Sequence, residues 1–101
     1  MYKYKVWLFV TFRMPIGYEG NEFRAFYRKA EIPIQPYPGL IVDISLAANE
    51  VIDRVKVSPF ADNGIRVWLK TINLAEPHQP GADYQLKLCE EQEEWVEQEP
   101  E

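Results

Sequence analysis

A chain of 101 residues with 47% apolar side chains can bury one hydrophobic core and is too short for two domains. A single cysteine, Cys89, excludes an intrachain disulfide and a cysteine-rich zinc site, and the lone His78 excludes a histidine cluster. The longest apolar run, residues 6–10, is far shorter than the roughly 20 residues of a membrane-spanning helix, and there is no signal-peptide pattern. We therefore expect a soluble, cytoplasmic, single-domain protein with no metal, no cofactor and no membrane partner.

The net charge of −5 is unevenly distributed along the chain. Residues 1–80 carry ten Lys and Arg against eight Asp and Glu, whereas residues 81–101 carry one Lys against eight acids. The C-terminal acids repel each other and have little apolar surface beside them to bury. We expect a compact domain over residues 1–97 and a flexible acidic tail over residues 98–101.

Residues 2–14 alternate with a period of two, which predicts a β-strand. Val6 lies on one face of this strand, and Trp7 and Phe9 lie on the other. Because both faces are apolar, we expect the strand at the centre of a sheet or barrel, with Trp7 in the core. The glycines, proline and asparagine of residues 15–21 predict a turn.

Residues 22–34 alternate more weakly, and their aromatic content favours a second strand with a bulge or an exposed edge. Pro33 has no N–H to donate, so this strand must end or lie at a sheet edge near Ile32. The prolines and glycine of residues 33–39 favour a stiff, extended corner, and residues 40–45 then predict a third strand.

Two alternating runs, residues 51–57 and 65–72, flank a turn signal and predict a β-hairpin. The turn residues are Asp62, Asn63 and Gly64, and we expect a positive φ at Asn63 or Gly64. In the first run, the alternation places Val51, Asp53, Val55 and Val57 on one face of the strand. In the second it groups Ile65, Val67 and Leu69 on one face and Arg66, Trp68 and Lys70 on the other.

The last apolar pattern is ambiguous between a helix and a strand. Tyr84, Leu88 and Trp95 fit one face of a helix with Asp83 as its N-cap, but the first half of the segment also fits a strand. Abundant Glu and Gln favour a helix over about residues 83–94.

Together these elements predict a mainly β protein. We expect a small antiparallel twisted sheet, or an SH3-like or OB-like barrel, of about five strands with a C-terminal helix. The resemblance to these barrels is one of strand pattern only, and a fold of this kind does not determine function.

Catalytic chemistry has little support in the sequence. His78 lies near Glu76, but no nucleophile has a recognisable context, and a histidine between prolines is typical of a surface loop. Cys89 lies among glutamates that disfavour its thiolate, which favours a small core residue over a nucleophile. We do not expect an enzyme.

A first candidate surface combines cations with aromatic residues of the first two strands. One interpretation is a surface that binds single-stranded nucleic acid, by stacking the bases and attracting the phosphates. The alternative is that the aromatic side chains belong to the core and the cations only face solvent. The negative net charge argues against nucleic acid as the partner. The candidate cations are Lys3, Lys5, Arg13, Arg24, Arg28 and Lys29.

A second candidate is Tyr37, which lies between Pro36 and Pro38. Prolines preorganise the backbone and lower the entropic cost of presenting an aromatic side chain to a protein; alternatively, Tyr37 packs down over the barrel. We expect a non-enzymatic protein-interaction or adaptor module. The alternatives are a nucleic-acid-binding barrel and an assembly subunit that forms homo-oligomers through its edge strands.

Overall fold

The computed structural model describes residues 4–43, 49–58 and 64–99. Within these ranges the chain is mainly β, with a curled mixed sheet that forms a half-barrel and a C-terminal helix, which confirms the predicted fold class. The elements are β1 (Tyr4–Arg13), β2 (Phe23–Ile32), β3 (Ile41–Asp43), β4 (Asn49–Val57), β5 (Ile65–Leu69), β6 (Ile72–Asn73), α1 (Ala82–Glu91) and β7 (Val96–Glu97).

Strand β1 lies at the centre of the sheet, as its sequence predicts. The strand order is β3-β4-β5-β1-β2-β7, and the short β6 also pairs with β1. β1 is antiparallel to β2 along its whole length but parallel to β5 and β6. The other pairings are antiparallel, so the sheet is predominantly antiparallel with two parallel contacts that the sequence pattern did not predict.

One face of the sheet carries the core, to which α1 and the segment after it contribute. The inward side chains of β1 alternate with outward ones, as a period of two requires. The largest fully buried side chains are Phe12, Ile52, Ile72, Val10, Val67 and Cys89. Burial raises the pKa of the Cys89 thiol to about 12, so this cysteine is an inert core residue at neutral pH.

The predicted end of β2 is confirmed, because β2 ends at Ile32, directly before Pro33. β3 covers Ile41–Asp43. Leu40, predicted as the first residue of this strand, lies just before it, and residues 44 and 45 of the predicted strand lie outside the described residues.

The β4 and β5 pairing confirms the predicted hairpin, although its details differ. A register shift between Ile52 and Arg54 changes the phase of β4, so Ile52 is buried and Asp53 is exposed. Of the predicted turn, Asp62 and Asn63 lie outside the described residues, and the φ of Gly64 lies outside the left-handed region.

The helical interpretation of the C-terminal segment is confirmed and the strand alternative is wrong. The N-cap is Gly81, at φ 79°, and Asp83 lies in the first turn, so the prediction of Asp83 as N-cap is also wrong. The helix ends at Glu91, and Trp95 beyond it is buried in the core.

The C-terminal segment then returns to the sheet. β7 pairs antiparallel with β2, and the Gln98 N–H donates a hydrogen bond to the Ala25 carbonyl at 2.8 Å. Pro100 and Glu101 lie outside the described residues, and the predicted boundary of a flexible tail at residue 98 stays a prediction. In the part of the chain that the structure describes, no helix has the length and hydrophobicity to cross a membrane.

Candidate functional site

The candidate site is the face of the sheet opposite the core, which we call the outer face. Core residues Val6 and Leu8 of β1 point inward, whereas Trp7 and Phe9 point to the outer face and are only partly buried. The expectation that Trp7 belongs to the core is therefore wrong. Its strand is apolar on both faces because aromatic side chains on the outer face pack against one another.

Five side chains on five neighbouring strands form a continuous row across the outer face, which we call the aromatic row. The strand register places them opposite each other in the order Arg54, Trp68, Phe9, Tyr27, Val96. Phe9 and Trp68 stack at a centroid distance of 5.2 Å and an interplanar angle of 16°. Phe9 and Tyr27 lie 5.9 Å apart, and the Arg54 guanidinium lies 4.1 Å from the Trp68 ring centroid.

A second row runs beside the first and is mostly cationic; we call it the basic row. Its order across the sheet is Lys56, Arg66, Trp7, Lys29. The Lys29 ammonium lies 5.0 Å from the Trp7 ring centroid, and Trp7 meets Tyr27 of the aromatic row edge-on at 5.6 Å. The two rows are two residues apart along each of the four shared strands, a distance of about 6.6 Å.

The outer face is locally positive although the chain is acidic. The two rows contain the cations Lys29, Arg54, Lys56 and Arg66 and no acidic side chain. One step further along β1, Lys5 lies opposite Glu31. A surface of this sign attracts anionic ligands at short range.

Residues of the outer face line two depressions. The central groove, of about 350 Å³, lies between the rows. It is lined by Trp7, Phe9, Tyr27, Arg66, Trp68 and Gln98. The terminal groove, of about 860 Å³, lies beyond the basic row, and its lining includes Lys5, Trp7, Lys29, Glu31, Gly64 and Ile65.

The cations predicted from the first two strands are divided between different parts of the molecule. Lys5 and Lys29 lie on the outer face, beside Trp7. Arg24 and Arg28 belong to the alternate positions of β2, whose side chains point to the other side of the sheet. Lys3 lies outside the described residues.

Each of the three other predicted cations that the structure describes contacts another side chain. Arg24 forms ion pairs with Glu97 at 2.6 Å and Glu90 at 3.6 Å, and the Arg28 guanidinium lies 5.6 Å from the Trp95 ring centroid. Arg13 is 3.5 Å from Glu22.

Sequence reasoning did not assign Arg54, Lys56, Arg66 and Trp68 to a functional surface. The period of two did place Arg66 and Trp68 on one face of their strand. The sequence contained no signal that β5 pairs in parallel with β1, which is the pairing that brings Trp68 against Phe9.

The structure places Tyr37 on the surface, with 53% of the residue exposed, and the preceding Pro36 is buried. The backbone around it is held in a turn: the Leu40 N–H donates to the Tyr37 carbonyl, and the Gly39 N–H donates to the Ile52 carbonyl of β4. Ile41, at the start of the edge strand β3, is 63% exposed. The turn therefore presents an aromatic side chain close in sequence to an exposed apolar edge residue.

His78 has acceptors at both ring nitrogens. Its Nδ1 lies 3.2 Å from the Leu74 carbonyl oxygen, and its Nε2 lies 3.2 Å from Asp83 Oδ2. These contacts join the loop before α1 to the first turn of the helix. In the described ranges, no group of three or more His, Cys, Asp and Glu side chains is arranged to hold a metal ion.

No protein-family model, no curated protein and no solved structure matches this chain. Its function is therefore inferred from its own geometry.

Proposed function

We propose that this protein is a non-enzymatic module that binds single-stranded nucleic acid on its outer face. The observation that carries the proposal is the parallel arrangement of the aromatic row and the basic row. Proteins that bind single strands stack bases on aromatic side chains and neutralise the phosphates with nearby cations. The two rows supply both interactions at neighbouring positions on a rigid sheet.

The direction of the rows suggests how the strand lies. A nucleic-acid strand that crosses the β-strands would place its bases over Trp68, Phe9 and Tyr27. Its phosphates would then lie near Arg66 and Lys29 of the basic row. Every base has a ring that can stack, so we expect weak sequence preference. Every nucleotide carries a phosphate that the cations neutralise, so we expect binding to depend strongly on salt.

The free protein already covers part of the two tryptophan rings of the outer face with its own cations. Arg54 lies over Trp68 and Lys29 lies over Trp7. A cation–π contact at an exposed site contributes about 0.5–1 kcal/mol, whereas stacking of a base contributes about 1–3 kcal/mol. Bases can therefore displace the cations, which then bind phosphate.

The acidity of the chain does not oppose this contact directly. Glu90 and Glu97 pair with Arg24, whose side chain belongs to the opposite side of the sheet. At physiological ionic strength, exposed charges more than about 8 Å apart are largely screened from each other. Glu31, two residues beyond Lys29 on β2, lies within this distance, but the four cations of the two rows outnumber it.

The test is fluorescence anisotropy of a labelled oligothymidylate with matched lysine variants. Lys29→Ala and Lys87→Ala change the net charge equally, but Lys87 lies on α1, 3.9 Å from Glu91. We expect Lys29→Ala to weaken binding and to reduce the salt slope by about 0.7, because one phosphate is no longer neutralised. Equal effects of both variants, or no binding by the wild-type protein, would refute the proposal.

A second candidate function is binding of another protein through Tyr37, favoured by the exposure of this side chain on a backbone-held turn. Aromatic side chains that are already positioned lose little entropy on binding. A photo-crosslinking residue at position 37 should capture a discrete partner, which includes a second copy of this chain. The same residue at Tyr84, which is 55% exposed on α1, is the control. Equal capture at both positions would contradict a specific role for Tyr37.

A further inference from the structure

The terminal groove has a chemistry of its own, distinct from the stacked rings of the aromatic row. Two ammonium groups, on Lys5 and Lys29, line it together with the indole of Trp7. Glu31 also lines it, and Val6, Ala30 and Ile65, whose side chains pack in or against the core, complete the lining. Its volume of about 860 Å³ lies within the roughly 300–1,000 Å³ typical of small-molecule sites.

A ligand that complements this lining needs an anionic group for the lysines and a planar, largely apolar group for the indole. A nucleotide has both, as a phosphate joined through a sugar to a base. Acidic peptides supply the charge but not the ring system. Uncharged aromatic compounds supply no anion for Lys5 and Lys29, whose two positive charges exceed the single negative charge of Glu31 in the groove. The charge and shape of the groove therefore favour a nucleotide among these classes.

We propose that the terminal groove is a nucleotide-binding site, with the phosphate between Lys5 and Lys29 and the base against Trp7. The nucleotide is either free or one unit of a longer strand that binds along the rows. The inference rests on the proposed function only if the nucleotide is a unit of a longer strand. In both cases the chemistry that the groove recognises is the same.

Gly64 at the rim of the groove allows the site to be blocked without changing a charge. An added Cβ at Gly64 meets no heavy atom within 4 Å, and its φ lies outside the left-handed region, so a larger residue is tolerated there. Gly64→Leu should therefore fill the groove while the fold and both rows stay intact. Thermal unfolding of the variant verifies that it is folded.

The experiment titrates adenosine 5′-monophosphate into the full-length protein and follows the amide signals of Gly64 and Lys5 by NMR. We expect saturable shifts, with binding at least about tenfold weaker for Gly64→Leu and for adenosine, which lacks the phosphate. Ribose 5-phosphate, which lacks the base, should also bind more weakly. Absence of shifts, equal binding of adenosine, or unchanged affinity in Gly64→Leu would overturn the proposal.

The oligothymidylate affinity of Gly64→Leu identifies the source of the nucleotide. If the groove holds a unit of a bound strand, Gly64→Leu binds oligothymidylate more weakly than the wild-type protein does. If the site serves a free nucleotide, Gly64→Leu weakens binding of adenosine 5′-monophosphate and leaves the oligothymidylate affinity unchanged, because both rows stay intact. Nucleotide binding without oligonucleotide binding supports the groove and refutes the proposed function, whereas the converse refutes the groove alone.

Discussion

Arg24 and Glu97 join β2 to β7 through two hydrogen bonds: Nε donates to Oε2 at 3.1 Å and Nη2 donates to Oε1 at 2.6 Å. The neighbouring residue Val96 pairs with Tyr27, which places Val96 at the end of the aromatic row. An ion pair whose arginine belongs to the core side of the sheet therefore positions a residue of the outer face.

Replacing Glu97 with glutamine should reveal a pH-dependent contribution to stability. The hydrogen bonds from Arg24 hold the pKa of Glu97 below its usual range. A lowered folded-state pKa stabilises the protein above the unfolded value of about 4.3, and this contribution is lost as the pH falls through the folded-state pKa. Because 44% of the Glu97 side chain is exposed, solvent screening limits the effect to roughly 0.5 kcal/mol.

Urea denaturation at neutral and acidic pH measures this contribution. Glu97→Gln should be less stable than the wild type at about pH 7 and equally stable at about pH 3. Glu99→Gln, which changes an exposed glutamate on the same segment, is the control and should differ from the wild type at neither pH. A deficit of Glu97→Gln that persisted in acid would contradict the ion-pair explanation.

Truncation of Trp7 should cost less than truncation of its core neighbour on the same strand. Trp7→Ala removes a partly buried ring that contacts Tyr27 and Lys29, so we expect a loss of about 1–2 kcal/mol. Phe12→Ala removes a fully buried ring and should cost about 3–5 kcal/mol. Thermal or urea unfolding of the two variants compares them directly. Equal losses would show that the outer face is as well covered as the core.

The backbone conformations of Gly64 and Gly39 predict opposite tolerance of alanine. An added Cβ meets no atom within 4 Å at either position, but Gly39 has φ +98° whereas Gly64 is outside the left-handed region. Gly39→Ala should therefore destabilise the protein by about 1 kcal/mol, and Gly64→Ala should be neutral or stabilise it by up to about 0.5 kcal/mol. Their unfolding midpoints check this ranking, and a clear loss in Gly64→Ala would show strain at the start of β5.

Displacement of Arg54 from Trp68 by a bound base should be visible in the salt dependence of the binding constant. If Arg54 moves to a phosphate in the complex, Arg54→Ala should reduce the slope of log K against log salt concentration by about 0.7. If Arg54 stays on Trp68, the slope should not change although the affinity does. Anisotropy titrations across a range of salt concentrations separate these outcomes, and Lys87→Ala should leave the slope unchanged.

The sequence by itself determined which side chains share a face of β1 and of β5, although not of β4, whose phase a register shift changes. The period of two separates Trp7 and Phe9 from Val6, and Arg66 from Val67, because successive residues of a strand point to opposite sides. Local signals also placed the end of β2 before Pro33, since proline has no N–H to donate to a ladder. Helix propensity correctly favoured a helix in the C-terminal segment.

Only the tertiary structure decided which strands are neighbours and which face is covered. The parallel pairing of β1 with β5 joins residues nearly sixty positions apart in sequence and brings Trp68 to Phe9. No local pattern encodes such a contact, because the hydrogen bonds of a parallel ladder depend on the path of the whole intervening chain. Contacts with β2 explain why Trp7 lies outside the core: on the outer face its ring packs against Tyr27 and Lys29, so an apolar face needs no second layer.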